Sequence, residues 1–190
     1  NHGDDNETQI IHKKSKFPRL PYLSFSDDDG LTWSEPKNMN DSCRNPSWGW
    51  YATGPGVGIQ IKKGKFKGRL VIPSNHSYDD INGEIRNGPF NYGAHVLFSD
   101  NNGSSWEISD SIFPGCNESQ IVELGNGDLM MNMRSYNNQF SRAYSISTDG
   151  GYSWSKIKHD YQLVESKCQA SILNYGMFNK KNMYLLSLIH

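Results

Sequence analysis

The sequence predicts an all-β protein assembled from repeated four-stranded units, and two observations favour this fold class. Short runs of aromatic and β-branched residues alternate with clusters of Gly, Asn and Asp, and no long stretch has an apolar period of 3.6 residues. A repeat of the form S-x-[DN]-x-G-x-[ST]-W begins at Ser26, Ser99 and Ser147. Four antiparallel strands accompany each of the last two repeats, which is the content of a β-propeller blade.

The repeat has the chemistry of a turn between two strands. Random mixing of 18 Gly and 5 Trp would give about 0.5 Gly-x-x-Trp pairs, and each of the three repeats contains one. Asp or Asn accepts backbone N–H bonds that the turn leaves free, Gly supplies a positive φ, and Trp buries its ring between neighbouring units. We therefore interpret the following residues as structural: Asp28, Gly30, Trp33, Asn101, Gly103, Trp106, Asp149, Gly151 and Trp154.

The predicted strands divide the chain into an incomplete arc of about three blades. Residues 1–50 form the end of one blade, 51–110 a second, 111–160 a third and 161–190 the start of a fourth. Such an arc cannot close and leaves its edge strands bare, so we expect both ends to be cuts in a longer protein. The predicted strands cover residues 21–26, 57–61, 69–73, 95–99, 120–124, 129–134, 143–147, 169–173 and 183–189, and two more start at Trp106 and Trp154.

The composition excludes several classes of function. Lys and Arg number 19 and Asp and Glu number 20, so the chain lacks the basic excess of a nucleic-acid-binding surface. No apolar run approaches the roughly 20 residues of a transmembrane segment. The cysteines Cys43, Cys116 and Cys168 lack metal-ligand spacing, and we expect them to be buried free thiols. We predict no metal and no cofactor, and the sequence leaves the oligomeric state open.

The repeats resemble the Asp boxes (bacterial neuraminidase repeats) of sialidases, although sortilin-like receptors and other glycosidase propellers also carry such boxes. The segments between the boxes resemble sialidases more specifically, from about Gly3 to Leu173. The sialidase motif G-P-G-x-G-I-Q…G-R-L-V-x-P-x-N-H is similar to residues 53–60 and 68–76. The motif N-E-S-x-x-x-E-L…D-G-x-L-x-x-N-x-R is similar to residues 117–124 and 127–134. The short motif C-Q-A-S matches residues 168–171.

This resemblance implies a six-bladed β-propeller with its active site at one end of the axis and the Asp boxes at the other. It implies an exo-α-sialidase that hydrolyses terminal sialic acid from glycoproteins, glycolipids or oligosaccharides, so the expected partner is a sialylated glycan. A Tyr activated by a Glu is the nucleophile, an Asp is the acid/base, and three Arg bind the substrate carboxylate. Because relatives are secreted, lysosomal or membrane-associated, localisation stays open.

Two residues match the family's catalytic motifs. Glu118 matches the Glu that activates the nucleophilic Tyr, and Arg134 matches the middle Arg of the carboxylate clamp. The hairpin itself supports their proximity, since a three-residue turn at residues 125–127 places Glu118 opposite Arg134 on one face. A two-residue turn would make the pairing diagonal. From the hairpin alone, an ordinary cross-strand salt bridge is the favoured interpretation. The match to the family motif instead favours a role for both residues in the active site.

Five further residues are candidates for substrate binding. Trp50 offers a ring that could stack on the sugar or its N-acetyl arm, with core packing as the alternative. The other four candidates lie near predicted strand ends, where the mouth of the site is expected. The candidates are Trp50, Asn75, His76, Tyr78 and Gln169. We interpret Glu123, Arg69 and Arg142 as structural.

The family's other functional groups have no matching motif in this sequence: the first Arg in an R-I-P segment, the acid/base Asp, the third Arg and the nucleophilic Tyr. We therefore expect the 190-residue chain alone to have no turnover. Three alternatives stay open. They are a non-catalytic Asp-box propeller that binds glycans or proteins, a trans-sialidase, and a structural scaffold degenerated from an enzyme.

Overall fold

The computed structural model describes residues 5–79 and 91–188. The described part is almost entirely β-structure, as predicted, with two short helices. Ile189, the predicted end of the last strand, lies outside the described residues. In chain order the elements are α1 (Glu7–Ile11), β1 (Tyr22–Leu23), β2 (Lys37–Asn38), α2 (Asn40–Cys43), β3 (Tyr51–Thr53), β4 (Ile59–Gln60), β5 (Leu70–Ser77), β6 (Tyr92–Ser99), β7 (Glu107–Ile108), β8 (Cys116–Glu123), β9 (Leu129–Ser135), β10 (Ser141–Ser147), β11 (Lys158–Val164), β12 (Ala170–Phe178) and β13 (Lys181–Leu188).

The strands form two large antiparallel sheets and two hairpins. One sheet has the order β3-β5-β6-β7, with β4 also paired to β5, and the other has the order β11-β10-β9-β8. The hairpins are β1-β2 and β12-β13. The sheets are open at their edges within the described part, as expected of an incomplete propeller arc, while the predicted division at residues 50, 110 and 160 stays a prediction.

Several predicted strand bounds differ from the structure, and one of them differs for a clear local reason. The predicted strand 57–61 is reduced to β4, and β3 pairs with the far half of β5 instead. Gly54, Pro55 and Gly56 separate β3 from β4, and a Gly/Pro run interrupts ladder pairing. The strand predicted to start at Trp154 begins only at Lys158.

The hydrophobic core lies between the two large sheets, which pack face to face. Val71 and Val96 from one sheet meet Leu129, Met131 and Met133 from the other, and all five side chains are excluded from solvent. A parallel bridge between Pro55 and Ser119 adds a backbone link between the sheets. This packing fixes the sheets relative to each other and therefore fixes the ends where the candidate residues lie.

The Asp boxes have the predicted hydrogen bonds. Asp149 Oδ1 accepts the Ser153 N–H at 2.9 Å, and the first two boxes repeat this contact at 2.9 and 2.8 Å. The box glycines have φ between 83° and 94°, the left-handed region that favours glycine. Trp106 is 8% exposed, as expected, but Trp33 is 65% exposed, which corrects the prediction for its ring. The first box joins the two-stranded sheet β1-β2, which offers little surface to cover an indole.

Arg69 is structural, as predicted. Its guanidinium donates to both carboxylate oxygens of Asp100 at 2.8 and 2.7 Å and to the Gly150 carbonyl oxygen at 3.0 Å. It also lies against the rings of Phe66 and Phe98 at 4.5 and 4.4 Å. Arg69 therefore ties the second Asp box to the third. Within the described ranges, none of the helices has the length and apolar character needed to cross a membrane.

Candidate functional site

The predicted site residues and the Asp boxes lie at opposite ends of the sheets. Glu118 is near the start of β8, and Arg134 is near the end of β9. Near the start of β10, Ala143 pairs with Met133, the residue just before Arg134. At the other end of β10, where the Asp box begins, Ser147 pairs with Leu129. In the other sheet Asn75 pairs with Ala94, far from the box that follows β6. Antiparallel pairing therefore gathers these candidates at the end away from the boxes.

Glu118 and Arg134 are in direct contact, as the hairpin register predicts. The turn has three residues, 125–127, and Leu124 N–H donates to the Asp128 carbonyl oxygen at 2.8 Å. Arg134 Nη1 donates to Glu118 Oε2 at 2.8 Å. Both side chains are partly exposed, at 25% and 31%, so the pair is neither sealed in the core nor freely solvated.

Arg134 keeps part of its hydrogen-bonding capacity unused. Its Nε–H is buried and has no hydrogen-bond partner in the described part of the chain. The guanidinium lies over the Tyr136 ring, 4.8 Å from the ring centre. An Arg that spends one donor on a neighbour, and is supported from below by a ring, can still offer other donors to an incoming acceptor.

The pair forms part of the wall of a cavity of about 490 Å³. Of the predicted residues, the structure brings four together on this wall, namely Glu118, Arg134, Trp50 and Asn75. Both carboxylates and guanidinium groups line it, together with an indole, a phenol and amides, which suits a polar ligand. The remaining lining residues are Glu7, Arg19, Ala52, Thr53, Pro55, Asn117 and Tyr136.

Trp50 is held rigidly beside the cavity. Its indole Nε1–H donates to Asn75 Oδ1 at 3.1 Å, and Asn75 Nδ2 donates to the Gly54 carbonyl oxygen at 3.2 Å. Arg19 covers one side of the indole, with its guanidinium carbon 3.8 Å from the ring centre. A sugar that stacks on Trp50 must therefore use the other face or displace Arg19.

Sequence reasoning missed three cavity residues: Arg19, Glu7 and Tyr136. Arg19 and Glu7 come from the segment before the first Asp box, where charged residues are ordinary and no motif marks them. Glu7 accepts a hydrogen bond from the Tyr92 hydroxyl. Burial raises the pKa of the Tyr136 phenol, which disfavours its phenolate form. Only the position of Tyr136, two residues after Arg134 on the same face, could have indicated its place.

The cavity is not lined by three of the predicted substrate-binding residues, namely His76, Tyr78 and Gln169. His76 is 1% exposed, and its Nδ1 lies 2.9 Å from Nδ1 of His95 in a buried aromatic cluster. Tyr78 lies against Phe113, with 5.4 Å between ring centres. Gln169 is half-buried in the segment that leads into β12. Their substrate-binding roles stay predictions, and the position of His76 behind the wall gives its role no support.

A larger hollow of about 830 Å³ lies between β8 and the β12-β13 hairpin. Its wall is mostly apolar, with Ile121, Ile172 and Leu186 among the lining residues, and none of the predicted catalytic or substrate-binding residues reaches it. Within residues 5–79 and 91–188, no group of three or more His, Cys, Asp or Glu side chains could hold a metal ion. The cavity beside Glu118 is therefore the candidate site.

Comparison with known proteins finds a repeat family and several sialidases that resemble this chain. The BNR repeat-like domain family matches residues 10–187. The chain is 33% identical to a sialidase of Bacteroides fragilis over 153 residues and 32% identical to a sialidase of Micromonospora viridifaciens over 151 residues, which is 80% of this chain in both cases. The solved structure of the Hadza microbial sialidase Hz136 superposes with a TM-score of 0.74 over 88% of this chain at 31% identity.

The chain spans only part of these proteins. It covers 26% and 22% of the two curated sialidases and 31% of the Hz136 chain. These neighbours have the β-propeller fold, so the expected propeller class, present as an incomplete arc, is confirmed. The family match extends over nearly all of the described residues and includes both sheets that carry the cavity. The chain therefore belongs to the sialidase family with BNR (Asp-box) repeats.

Proposed function

We propose that this chain is part of an exo-α-sialidase and supplies half of a site that hydrolyses terminal sialic acids with retention of configuration. The observation that carries the proposal is the 2.8 Å contact between Arg134 and Glu118 on the wall of a polar cavity. The relatives named as sialidases support the same substrate class, a sialylated glycan. Each residue has a distinct role in the proposed chemistry.

Arg134 binds the carboxylate of the sugar. A guanidinium presents two parallel N–H donors that match a carboxylate, which an ammonium group does not. Arg134 donates through Nη1 to Glu118, and its buried Nε–H has no partner among the described residues. The unused donors therefore favour an anionic ligand at this position.

Glu118 is the base that activates a nucleophilic Tyr. A phenol with an ordinary pKa of about 10 is a poor nucleophile at neutral pH until a base removes its proton. As the Tyr oxygen attacks the anomeric carbon, Glu118 takes the phenolic proton, and an acid protonates the departing glycosidic oxygen. Water then releases the sugar from the Tyr. A neutral nucleophile also avoids bringing a second anion against the anionic sugar.

Tyr136 lines the cavity but is not the nucleophile that we propose. Burial raises the pKa of its phenol, and its ring supports the Arg134 guanidinium. The family's nucleophilic Tyr, acid/base Asp and two other Arg have no matching motif in these 190 residues. We therefore propose that the chain alone binds the sugar weakly and does not turn it over.

The wall of the proposed site also includes Trp50, Asn75 and Arg19. Asn75 and Trp50 hold each other through the indole N–H bond. The guanidinium of Arg19, whose carbon lies 3.8 Å from the centre of the indole ring, adds hydrogen-bond donors toward the oxygen-rich substituents of the sugar. His76, Tyr78 and Gln169 are not assigned contacts in this proposal.

A trans-sialidase that transfers the sugar within one molecule is the second candidate. The chain is 32% identical to the anhydrosialidase of Macrobdella decora over 181 residues. It also superposes, at 27% identity and a TM-score of 0.73, on the intramolecular trans-sialidase of Ruminococcus gnavus. The two candidates share Arg134 and Glu118 and differ in whether water or a hydroxyl of the same sugar accepts the glycosyl group.

Kinetics of Glu118 variants test the proposal. In a longer protein that carries this segment, Glu118→Gln should lower kcat on a fluorogenic sialoside by roughly 10²–10⁴-fold, the usual contribution of a general base. The matched control is Glu107→Gln, an exposed carboxylate on β7 near an Asp box, which should leave kcat unchanged. Free sialic acid as the product supports hydrolysis, and an anhydro sugar supports intramolecular transfer. An unchanged kcat for Glu118→Gln would refute the assignment.

A further inference from the structure

A buried ion pair lies behind the candidate site. Arg142 on β10 and Glu165, just after β11, are 2.5 Å apart, and their side chains are 0% and 2% exposed. Taking both charges out of water has a large desolvation cost, and an apolar pair of similar volume is often equally stable in such a position. Stability alone is therefore a weak explanation for this pair, and its contacts point to another one.

The pair holds β9 on both sides of Arg134. Arg142 Nε donates to the Asn132 side-chain oxygen at 2.7 Å. On the other side, Ser135 N–H donates to Glu165 Oε1 at 2.7 Å. Asn132 and Ser135 flank Arg134 in the sequence, so one contact restrains the strand just before the Arg134 position and the other just after it.

The strand ladder is irregular at this position. Regular pairing of β8 with β9 reaches Ser119 and Met133, is interrupted by a bulge that contains Glu118, and resumes at Cys116 and Ser135. Pairing of β9 with β10 reaches Met133 and Ala143 and goes no further. Glu118 and Arg134 are therefore not themselves paired in the ladder, and the contacts made by the buried ion pair add restraint on both sides of Arg134.

Electrostatics give Glu165 a second effect. Arg142 interacts with the charges of both Glu165 and Glu118. Glu165 accepts the Arg142 Nη1–H, and Arg142 Nη1 also donates to the Cys168 carbonyl oxygen at 2.8 Å. With Arg142 engaged in this way, Glu118 stays available to Arg134.

We propose that Arg142 and Glu165 are positioning residues that hold the Arg134 guanidinium against Glu118 and in line for a ligand carboxylate. The ligand part of this inference rests on the proposed function. The positioning part does not, because the contact between Arg134 and Glu118 exists without a ligand. Such support should matter because a small displacement of a group that binds or reacts with a substrate can greatly lower the affinity or the rate.

The test replaces both charges together. The variant R142M/E165L removes the ion pair without leaving one charge buried alone, so it should stay folded, with a moderate loss of stability because Asn132 and the Ser135 N–H lose their partners. The Arg134 Nε–H resonance in NMR spectra of the ligand-free chain should shift. Affinity for N-acetylneuraminic acid, followed by NMR titration, should fall by at least about tenfold. The single variant R142M should lose much more stability than the double variant.

A matched control is R69M/D100L, which removes another Arg–carboxylate pair that ties two segments together, at the Asp-box end. It should leave the Arg134 resonance unchanged. An unshifted Arg134 resonance in R142M/E165L, or a loss of affinity no larger than that of the control, would overturn the proposal. If the unmodified chain does not bind the sugar while the Arg134 resonance shifts in R142M/E165L, the proposed function fails and the positioning role stands.

Discussion

The Arg134 guanidinium donates to the Glu118 carboxylate across an irregularity in the β8-β9 ladder, at 2.8 Å. Pairing is regular from Ser119 and Met133 to the turn, and the register shifts between Cys116 and Ser119. A bulge of this kind frees a residue from the ladder and turns its side chain in a new direction. The bulge thus places Glu118 on the cavity wall rather than in the flat face of the sheet.

Substitution of Arg134 should separate the effect of charge from that of donor geometry. Arg134→Met should weaken binding of N-acetylneuraminic acid to the chain by about 10–150-fold, which corresponds to the loss of a hydrogen-bonded charge worth about 1.5–3 kcal/mol. Arg134→Lys keeps the charge without the planar pair of donors and should give an intermediate loss. Chemical-shift titration measures both. The control Lys37→Met removes an exposed cation on β2 and should bind the sugar normally. Unchanged binding by Arg134→Met would contradict the assignment of Arg134 to the binding site.

The local features of this site could be predicted from the sequence because they depend on short-range rules. The three-residue turn at 125–127 sets a register in which Glu118 and Arg134 lie across from each other, and the structure has that register up to Ser119. The Asp boxes could be predicted for the same reason, since Asp149 bonds to a residue four positions away. The bulge itself carried no sequence signal.

The rest of the site depends on how distant segments pack, which residue spacing does not encode. Arg19 reaches the cavity because the segment before β1 crosses Trp50. His76 follows Asn75 in the same strand, but alternation turns its ring to the opposite face, into the buried cluster with His95. His76 therefore does not share the cavity with its neighbour Asn75, although its place in the sequence suggested that it would.

Gly56 is needed where the two sheets meet. A Cβ added at Gly56 would lie 2.1 Å from Gln120 Oε1, and the Gln120 amide both accepts from and donates to the Val57 backbone, at 3.1 and 2.9 Å. Gly56→Ala should break these bonds and lower the free energy of unfolding by about 1–3 kcal/mol, measured by urea denaturation. In a Gln120→Ala background the same change should have a much smaller effect. An equal effect in both backgrounds would mean that the contact with Gln120 is not the cause.

Arg19 should bind a part of the sugar other than its carboxylate. The Arg19 side chain lines the cavity, its guanidinium lies over Trp50, and it has no hydrogen bond to a described residue. Arg19→Ala should weaken binding of N-acetylneuraminic acid by about 1 kcal/mol, roughly fivefold. The methyl ester of the sugar provides the control, because it should remain sensitive to Arg19→Ala while losing its sensitivity to Arg134→Met. If Arg19→Ala had no effect on binding of either ligand, this assignment would be wrong.

The buried histidine pair should make the stability of the chain depend on pH. His76 and His95 share a hydrogen bond of 2.9 Å between their Nδ1 atoms, which requires one ring to donate and the other to accept, and burial of both rings favours their neutral forms. The His76 ring also stacks on Trp48, with 3.9 Å between ring centres. Burial lowers the pKa of His76 to about 3, and burial together with the neighbouring His76 lowers the pKa of His95 well below its ordinary value.

Because both folded-state pKa values are depressed, the unfolded chain takes up protons below a pH of about 6.5 while the folded chain does not. The stabilisation is therefore fully present above pH 6.5 and is lost as the pH falls, by up to about 1.4 kcal/mol per pH unit for each histidine. Urea denaturation at pH 7.5, 6.0 and 5.0 measures this slope. The double variant H76L/H95L, which removes both titrating rings and keeps apolar volume, should reduce it. A slope that is the same in both proteins would mean that other groups cause the loss of stability in acid.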